Sequence, residues 1–250
     1  MIVAALQLDI AWESPDENFA RATALAEQAT DARLLVLPEM FATGFSMNTA
    51  AIAPHADRIR AFLSDLAKRR QVWVMGGYAD SGADPLDRPR NACSLYDPQG
   101  NEQLRYHKIH PFSLAGEQEH YDAGTSVFTI DVEGVRVTPF ICYDLRFPEL
   151  FRAAAANTDL FCVLAHWPTV RRDAWQILLR ARAVENQCYV LGVNRVGEAN
   201  GLAYSGDSAL IDPFGVSLAS TGPVDAAKVA AAREQFSFLA DRRPDVYRSL

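Results

Sequence analysis

Cysteine is scarce and unpaired in this sequence. The 250 residues hold four, Cys93, Cys142, Cys162 and Cys188, with no C-x-x-C spacing. That excludes a zinc ribbon or a redox dithiol, and it predicts free thiols in a reducing compartment. Histidine is almost as rare: His55, His107, His110, His120 and His166 form no H-E-x-x-H and no Cys/His zinc pattern. No G-x-G-x-x-G or Walker A loop occurs, and Gly76-Gly77 lacks the helix start of a phosphate cradle. No metal and no cofactor are therefore expected. No apolar run approaches the roughly 18 residues that span a bilayer. The start, Met1 to Asp9, lacks the basic region of a secretory signal. Positive charge is in deficit, with 24 Lys and Arg against 31 Asp and Glu and a net charge of −7. The basic pairs Arg69-Arg70, Arg171-Arg172 and Arg242-Arg243 are scattered and read as solvated helix faces or local ion pairs. Neither nucleic acid nor a membrane is an expected partner, and the expected location is the cytoplasm.

What remains is a globular composition, 49% hydrophobic and 22% charged. Apolar runs of strand length alternate with helical segments. Strands are expected at 2–9, 33–38, 72–78, 160–165 and 188–193, and helices at about 15–30, 56–70, 148–156 and 171–186. Ser14-Pro15-Asp16-Glu17 has the form of a helix start, with Ser as N-cap and Glu three residues later. Glu133-Gly134 marks a hairpin between 127–130 and 135–141. The turn Asp97-Pro98-Gln99-Gly100 has a counterpart in Asp212-Pro213-Phe214-Gly215, each between strand-like runs, which hints at two similar α/β halves. The fold class is thus α/β. A single domain over 1–250 is expected, interrupted by the polar loop Ser81–Arg90. The tail, about 236–250, reads as extended and able to reach a neighbouring subunit.

Three reactive side chains stand at or just past apolar strands: Glu39 in Leu-Pro-Glu-Met-Phe, Lys108 in Tyr-His-Lys-Ile-His, and Cys142 in Phe-Ile-Cys-Tyr-Asp-Leu-Arg-Phe-Pro-Glu. A base, a cation and a nucleophile suffice to cleave a carbon–nitrogen bond through an acyl-enzyme. Cys142 lies on a sharp strand-to-helix turn, where N–H dipoles and cations stabilise a thiolate; the other cysteines fall in strand-like runs as small hydrophobes. Lys108 and the backbone N–H of Tyr143 are candidate donors to the oxyanion. Alternatives stay open at this stage. Glu39 also fits a helix cap or ion pair, Lys108 a surface site, and Glu119 or Glu149 compete with Glu117 as a second carboxylate.

These segments together resemble the nitrilase (carbon–nitrogen hydrolase) superfamily, along nearly the whole chain. Ala181-Arg182-Ala183-Val184-Glu185-Asn186-Gln187 matches the helix that follows the three islands. The resemblance implies a four-layer αββα sandwich, a Glu39–Lys108–Cys142 triad, cofactor-free hydrolysis of a small amide or nitrile, and homodimers or larger oligomers. It implies for Glu117 the role of the second glutamate, which positions substrate and Lys108. Phe41-Ala-Thr-Gly-Phe-Ser-Met and the Cys142 segment are most similar to the omega-amidase branch. That branch hydrolyses the terminal amides of 2-oxoglutaramate and 2-oxosuccinamate and releases ammonia. Arg146 and Trp167 are then expected at the substrate. His166 stands where Asn is expected in the closest bacterial relatives of that branch, a change that bears on the acyl group accepted. Other substrates of the superfamily (an N-carbamoyl compound, an aliphatic amide, a nitrile) and a non-catalytic scaffold are the competing readings.

Overall fold

The computed structural model describes residues 1–82 and 87–247. Among the described residues there are thirteen strands: β1 (Ile2–Ala5), β2 (Leu34–Val36), β3 (Trp73–Asp80), β4 (Arg90–Tyr96), β5 (Glu102–His107), β6 (Ile130–Val132), β7 (Val135–Ile141), β8 (Leu160–Ala165), β9 (Tyr189–Asn194), β10 (Val196–Ala199), β11 (Leu202–Ser205), β12 (Ala209–Ile211) and β13 (Thr221–Pro223). One sheet runs β13-β1-β2-β3-β4-β5 and the other β12-β9-β8-β7-β6, with β10-β11 a separate hairpin. In each, a parallel centre (β1-β2-β3, β7-β8-β9) is flanked by antiparallel strands.

Side-chain alternation builds the layers. Val3, Leu34, Val36 and Met75 face the second sheet and share one core with its Val137, Phe140, Phe161 and Val163. Their neighbours Ala4, Leu35 and Val74 face the other way, onto Ala22 and Ala26 of the helix Pro15–Gln28 and Ile59, Leu63 and Leu66 of the helix Ala56–Arg70. Phe151 of the helix Pro148–Ala154 and Trp175, Leu179 and Ala183 of the helix Arg172–Asn186 cover the second sheet. The result is the expected αββα sandwich. Among the described residues no helix is long and apolar enough to cross a membrane.

Several local expectations shift. β1 ends at Ala5, yet Leu6 and Leu8 remain buried and Asp9 makes an isolated bridge to Val196. Ser14 occupies the N-cap position without a side-chain capping bond. Asn18 anchors that helix instead, exchanging hydrogen bonds with Ala11 and donating to the Ala42 carbonyl. The hairpin strand starts at Ile130, and its turn residues Glu133 and Gly134 both have positive φ, as a two-residue turn requires. The two Asp-Pro-x-Gly turns are built alike: Asp97 Oδ1 accepts from the N–H groups of Gln99 and Asn101, and Asp212 Oδ1 from those of Phe214 and Val216. Of the loop Ser81–Arg90, residues 83–86 lie outside the described residues. The tail, expected as extended, contains a short helical turn at Pro244–Tyr247, and of its last residues 248–250 lie outside the described residues.

Strand ends converge on one place. Glu39 follows β2, Lys108 follows β5, Cys142 follows β7, and His166 and Trp167 follow β8. Gly77 of β3 lets the backbone pass directly under the Glu39 turn. Its carbonyl accepts from Phe41 N–H, its N–H donates to the Pro38 carbonyl, and a Cβ there would lie 2.7 Å from Glu39 Cα. Gly77→Ala is expected to push the Glu39 turn out of place, lowering stability by about 1–3 kcal/mol and turnover by roughly tenfold or more. Urea denaturation and steady-state kinetics on the same preparation check both; unchanged kcat would mean that the turn absorbs the methyl.

Candidate active site

The turn that carries Cys142 is assembled from polar anchors. Cys142 has φ of +46° and opens a 3-10 segment, Cys142–Arg146, directly after β7. A left-handed conformation without glycine is strained, so surrounding bonds must hold it. The fully buried Asp144 accepts from the N–H groups of Ile141 and His110 and, at 2.7 Å, from the hydroxyl of Tyr106. Tyr106 belongs to β5 of the facing sheet, so this bond fixes the Lys108 strand end against the Cys142 turn. Arg182 grips the same turn from below, donating through Nε and Nη2 to the Leu145 carbonyl at 3.1 and 2.8 Å.

Behind Cys142 lies a buried charge cluster. Lys108 Nζ donates to Glu39 Oε1 at 3.0 Å and to Glu117 Oε2 at 2.8 Å. Asn91 Nδ2 donates to both carboxylates, at 2.7 Å to Glu39 and 2.8 Å to Glu117. Glu39 Oε2 accepts from the N–H of His166 at 2.9 Å, and the Phe112 N–H donates to Glu117. None of the four side chains is more than 1% exposed. Two of the three Nζ protons are thus committed, leaving one donor. Glu119 and Glu149, which compete with Glu117 on spacing, are exposed. His107 and His110 serve different carboxylates, Asp80 and Asp144.

The electrostatics follow from burial and neighbours. Burial alone would raise the Glu39 carboxyl, but the charge and hydrogen bond of Lys108, with Asn91, outweigh it and hold Glu39 below the usual carboxylate range. Burial would discharge Lys108, yet Glu117 and Glu39 keep it firmly protonated. The Cys142 thiol is pushed well up, by burial first and then by the Glu39 charge, with Lys108 only partly offsetting. Burial and Glu39 thus favour the thiol, in keeping with the expectation that Glu39 takes its proton. The thiol is protonated and within hydrogen-bonding reach of Glu39, and its Sγ also donates to the His166 carbonyl at 3.8 Å.

Cys142 opens onto a cavity of about 310 Å³ lined also by Tyr143, Arg146, His166, Trp167, Arg171 and Tyr204. Its wall is rich in aromatic side chains, and among the described residues no Asp or Glu lines it. Arg146 stacks 4.8 Å from the Trp167 ring centroid and Arg171 lies 5.4 Å from that of Phe112. Trp167 is fixed by its Nε1–H on the Arg171 carbonyl and by its N–H on Asn194 Oδ1. His166 is held neutral: burial takes its pKa down to about 3 against the opposing pull of Glu39. The structure thus gathers every residue expected at the site. It adds Asn91, Asp144, Arg171 and Gly77, which sequence reasoning passes over.

A family model described as carbon-nitrogen hydrolase matches residues 2–237. The chain is 38% identical to the omega-amidase YafV of Yersinia enterocolitica over 227 residues, covering 90% of this chain and 87% of that one. It is 32% identical to the 2-oxoglutaramate amidase of Bacillus subtilis, over 98% of both chains. Among solved structures, a CN-hydrolase superfamily protein from Xanthomonas campestris with an arsenic adduct in its active site superposes with a TM-score of 0.86, at 32% identity over 97% of each chain. A mutant of the amidase from Nesterenkonia sp., showing Michael addition of acrylamide at the active site cysteine, gives a TM-score of 0.84 at 25% identity, covering 100% of this chain and 99% of that one.

Two measurements probe the electrostatics. Lys108→Met strands two carboxylates in the interior, and urea denaturation is expected to show a loss of about 3–5 kcal/mol; a loss below about 1 kcal/mol would mean that the cluster is not held by charge. His166 binds fewer protons folded than unfolded between its folded value of about 3 and its ordinary 6.5, so stability contributed by its neutral form falls as pH drops through that window. From pH 7 to 5 the chain should lose about 2 kcal/mol more than His166→Asn. Parallel pH–stability curves for the two proteins would refute this.

Proposed function

The chain belongs to the carbon–nitrogen hydrolase family, and from that premise we propose that it is an omega-amidase, cleaving the terminal amide of a small 2-oxo dicarboxylic acid monoamide such as 2-oxoglutaramate or 2-oxosuccinamate. The observation that carries the substrate class is the cavity's charge. Arg146 and Arg171 both face it, and neither guanidinium has an acidic partner among the described residues. Such a cavity suits an acyl group ending in a carboxylate. The omega-amidase and 2-oxoglutaramate amidase relatives support the same reading.

In the proposed mechanism Glu39 takes the Cys142 proton as Sγ attacks the amide carbon. The tetrahedral oxyanion is held by the remaining N–H of Lys108 and the backbone N–H of Tyr143. Collapse breaks the carbon–nitrogen bond, and Glu39 returns the proton to the departing ammonia. Water deprotonated by Glu39 then attacks the thioester and frees the acid and the thiol. Asn91 and Glu117 act through Lys108 and Glu39, fixing their positions. A raised thiol pKa fits this scheme, since proton transfer and attack then coincide.

We also propose one catalytic domain over residues 1–250, acting in the cytoplasm as a homodimer or larger assembly on a small-molecule amide. Exposed Ile177 and Val184 on one helix, beside exposed Phe214 and Val216, support assembly.

Ammonia release from 2-oxoglutaramate and 2-oxosuccinamate, beside an aliphatic amide, an N-carbamoyl amino acid and a nitrile, tests the reading. The keto-acid amides are expected to be preferred, with Cys142→Ala at least about 10³-fold slower and Arg171→Ala raising their KM roughly tenfold or more. Preference for the uncharged aliphatic amide, or Cys142-independent turnover, would sink the proposal.

A further inference from the structure

Where β8 ends, its chain goes on bonding without a strand beside it. Ala165 opposite Asn194 is the last paired position of β8 and β9. Beyond it, His166 donates its N–H to Glu39 Oε2 at 2.9 Å, and its carbonyl accepts from Cys142 Sγ at 3.8 Å. The main chain of Trp167 is received by a side chain instead. Asn194 Oδ1 accepts the Trp167 N–H at 2.8 Å, and Asn194 Nδ2 donates back to the Trp167 carbonyl at 2.9 Å. The same amide accepts from the N–H of Arg195 at 3.0 Å and donates to the Gly206 carbonyl at 2.9 Å. Both lone pairs and both protons of this buried amide are thereby used. An amide side chain has the shape of a peptide, and here it supplies the rung that the sheet lacks.

One peptide unit then joins Asn194 to the thiol. The carbonyl that meets Cys142 Sγ and the N–H that meets Asn194 Oδ1 belong to the same peptide bond, between His166 and Trp167. A trans peptide is planar, so its carbonyl and N–H point opposite ways and turn together. Fixing the N–H therefore aims the carbonyl. On the reading of Cys142 as nucleophile and Glu39 as base, on which this rests, we propose that Asn194 is a positioning residue for the reaction. It touches no reacting atom. It holds the 166–167 peptide plane at the angle that keeps the thiol beside Glu39. Trp167 is 4% exposed, so without Asn194 its N–H and carbonyl are stranded, and the plane turns to find other partners.

Alkylation by iodoacetamide reads the thiol itself. Cys93, Cys162 and Cys188 are buried, so the label reports on Cys142, and peptide mass spectrometry confirms its place. Asn194→Leu removes all four bonds of the amide. It is expected to slow both Cys142 alkylation and kcat on the preferred amide by roughly tenfold. Ser208→Ala is the control for a merely structural loss: Ser208 Oγ accepts from the Asn194 N–H and donates to the Asn194 carbonyl, yet makes no bond to the 166–167 peptide. That variant should lose stability and leave both rates unchanged; equal slowing in the two variants overturns the assignment. A Trp167 amide that exchanges with deuterium as fast as an open-loop amide in the wild type also overturns it, even if Asn194→Leu fails to fold, and a protected one supports it. Unmoved rates in folded Asn194→Leu overturn the assignment alone. Turnover that survives Cys142→Ala overturns the nucleophile reading and this assignment together.

Discussion

Lys108 lies between two carboxylates in the interior, and the rest of the site is arranged around that ammonium. Removing an ammonium and two carboxylates from water is costly, and only mutual pairing with complete hydrogen bonding makes it tolerable. The structure meets this demand with Asn91, whose single amide group donates to both glutamates, and with the main-chain N–H groups of His166 and Phe112. Each of these donors comes from a different element: the start of β4, the end of β8 and the loop after Lys108. The cluster therefore works as a clasp between the two sheets as well as a reactive centre.

The second constraint is the turn at Cys142. A non-glycine residue at positive φ persists only when its surroundings over-determine it, and here Asp144, Tyr106 and Arg182 do so. Met40, next to Glu39, has positive φ as well. Cys142, the proposed nucleophile, and Glu39, its proposed base, thus stand at strained links at strand ends, where a side chain can leave its sheet and face its counterpart across the interface.

Much of this was legible in the sequence, for a definable reason. Strand-length apolar runs ending in Glu39, Lys108 and Cys142 reveal both the element type and its end, and strand ends are where an α/β sandwich exposes side chains. Helices with clear apolar spacing, such as 56–70 and 171–186, fall close to their observed limits. What the sequence concealed depends on contacts between distant segments. Gly77 matters because β3 runs under the Glu39 turn, and Asn91 because β4 delivers it between two carboxylates. Arg171 reads as half of a surface basic pair until the fold turns it to the cavity while Arg172 pairs with Asp207. The Ser14 cap is absent, and Asn18 anchors that helix through Ala11 and Ala42, a contact between segments that spacing does not reveal.

The charge count of the clasp has a directional consequence. Both oxygens of Glu117 and both of Glu39 accept hydrogen bonds, so two anions face one cation and the interior keeps an excess of negative charge. An uncharged amide approaches that excess freely. On the proposed chemistry the acid formed by hydrolysis is an anion placed against it, pushed outward while Arg146 and Arg171 would hold its far end. On the same chemistry, this buried imbalance ejects the product and discourages the acid from re-entering to be turned back into an amide.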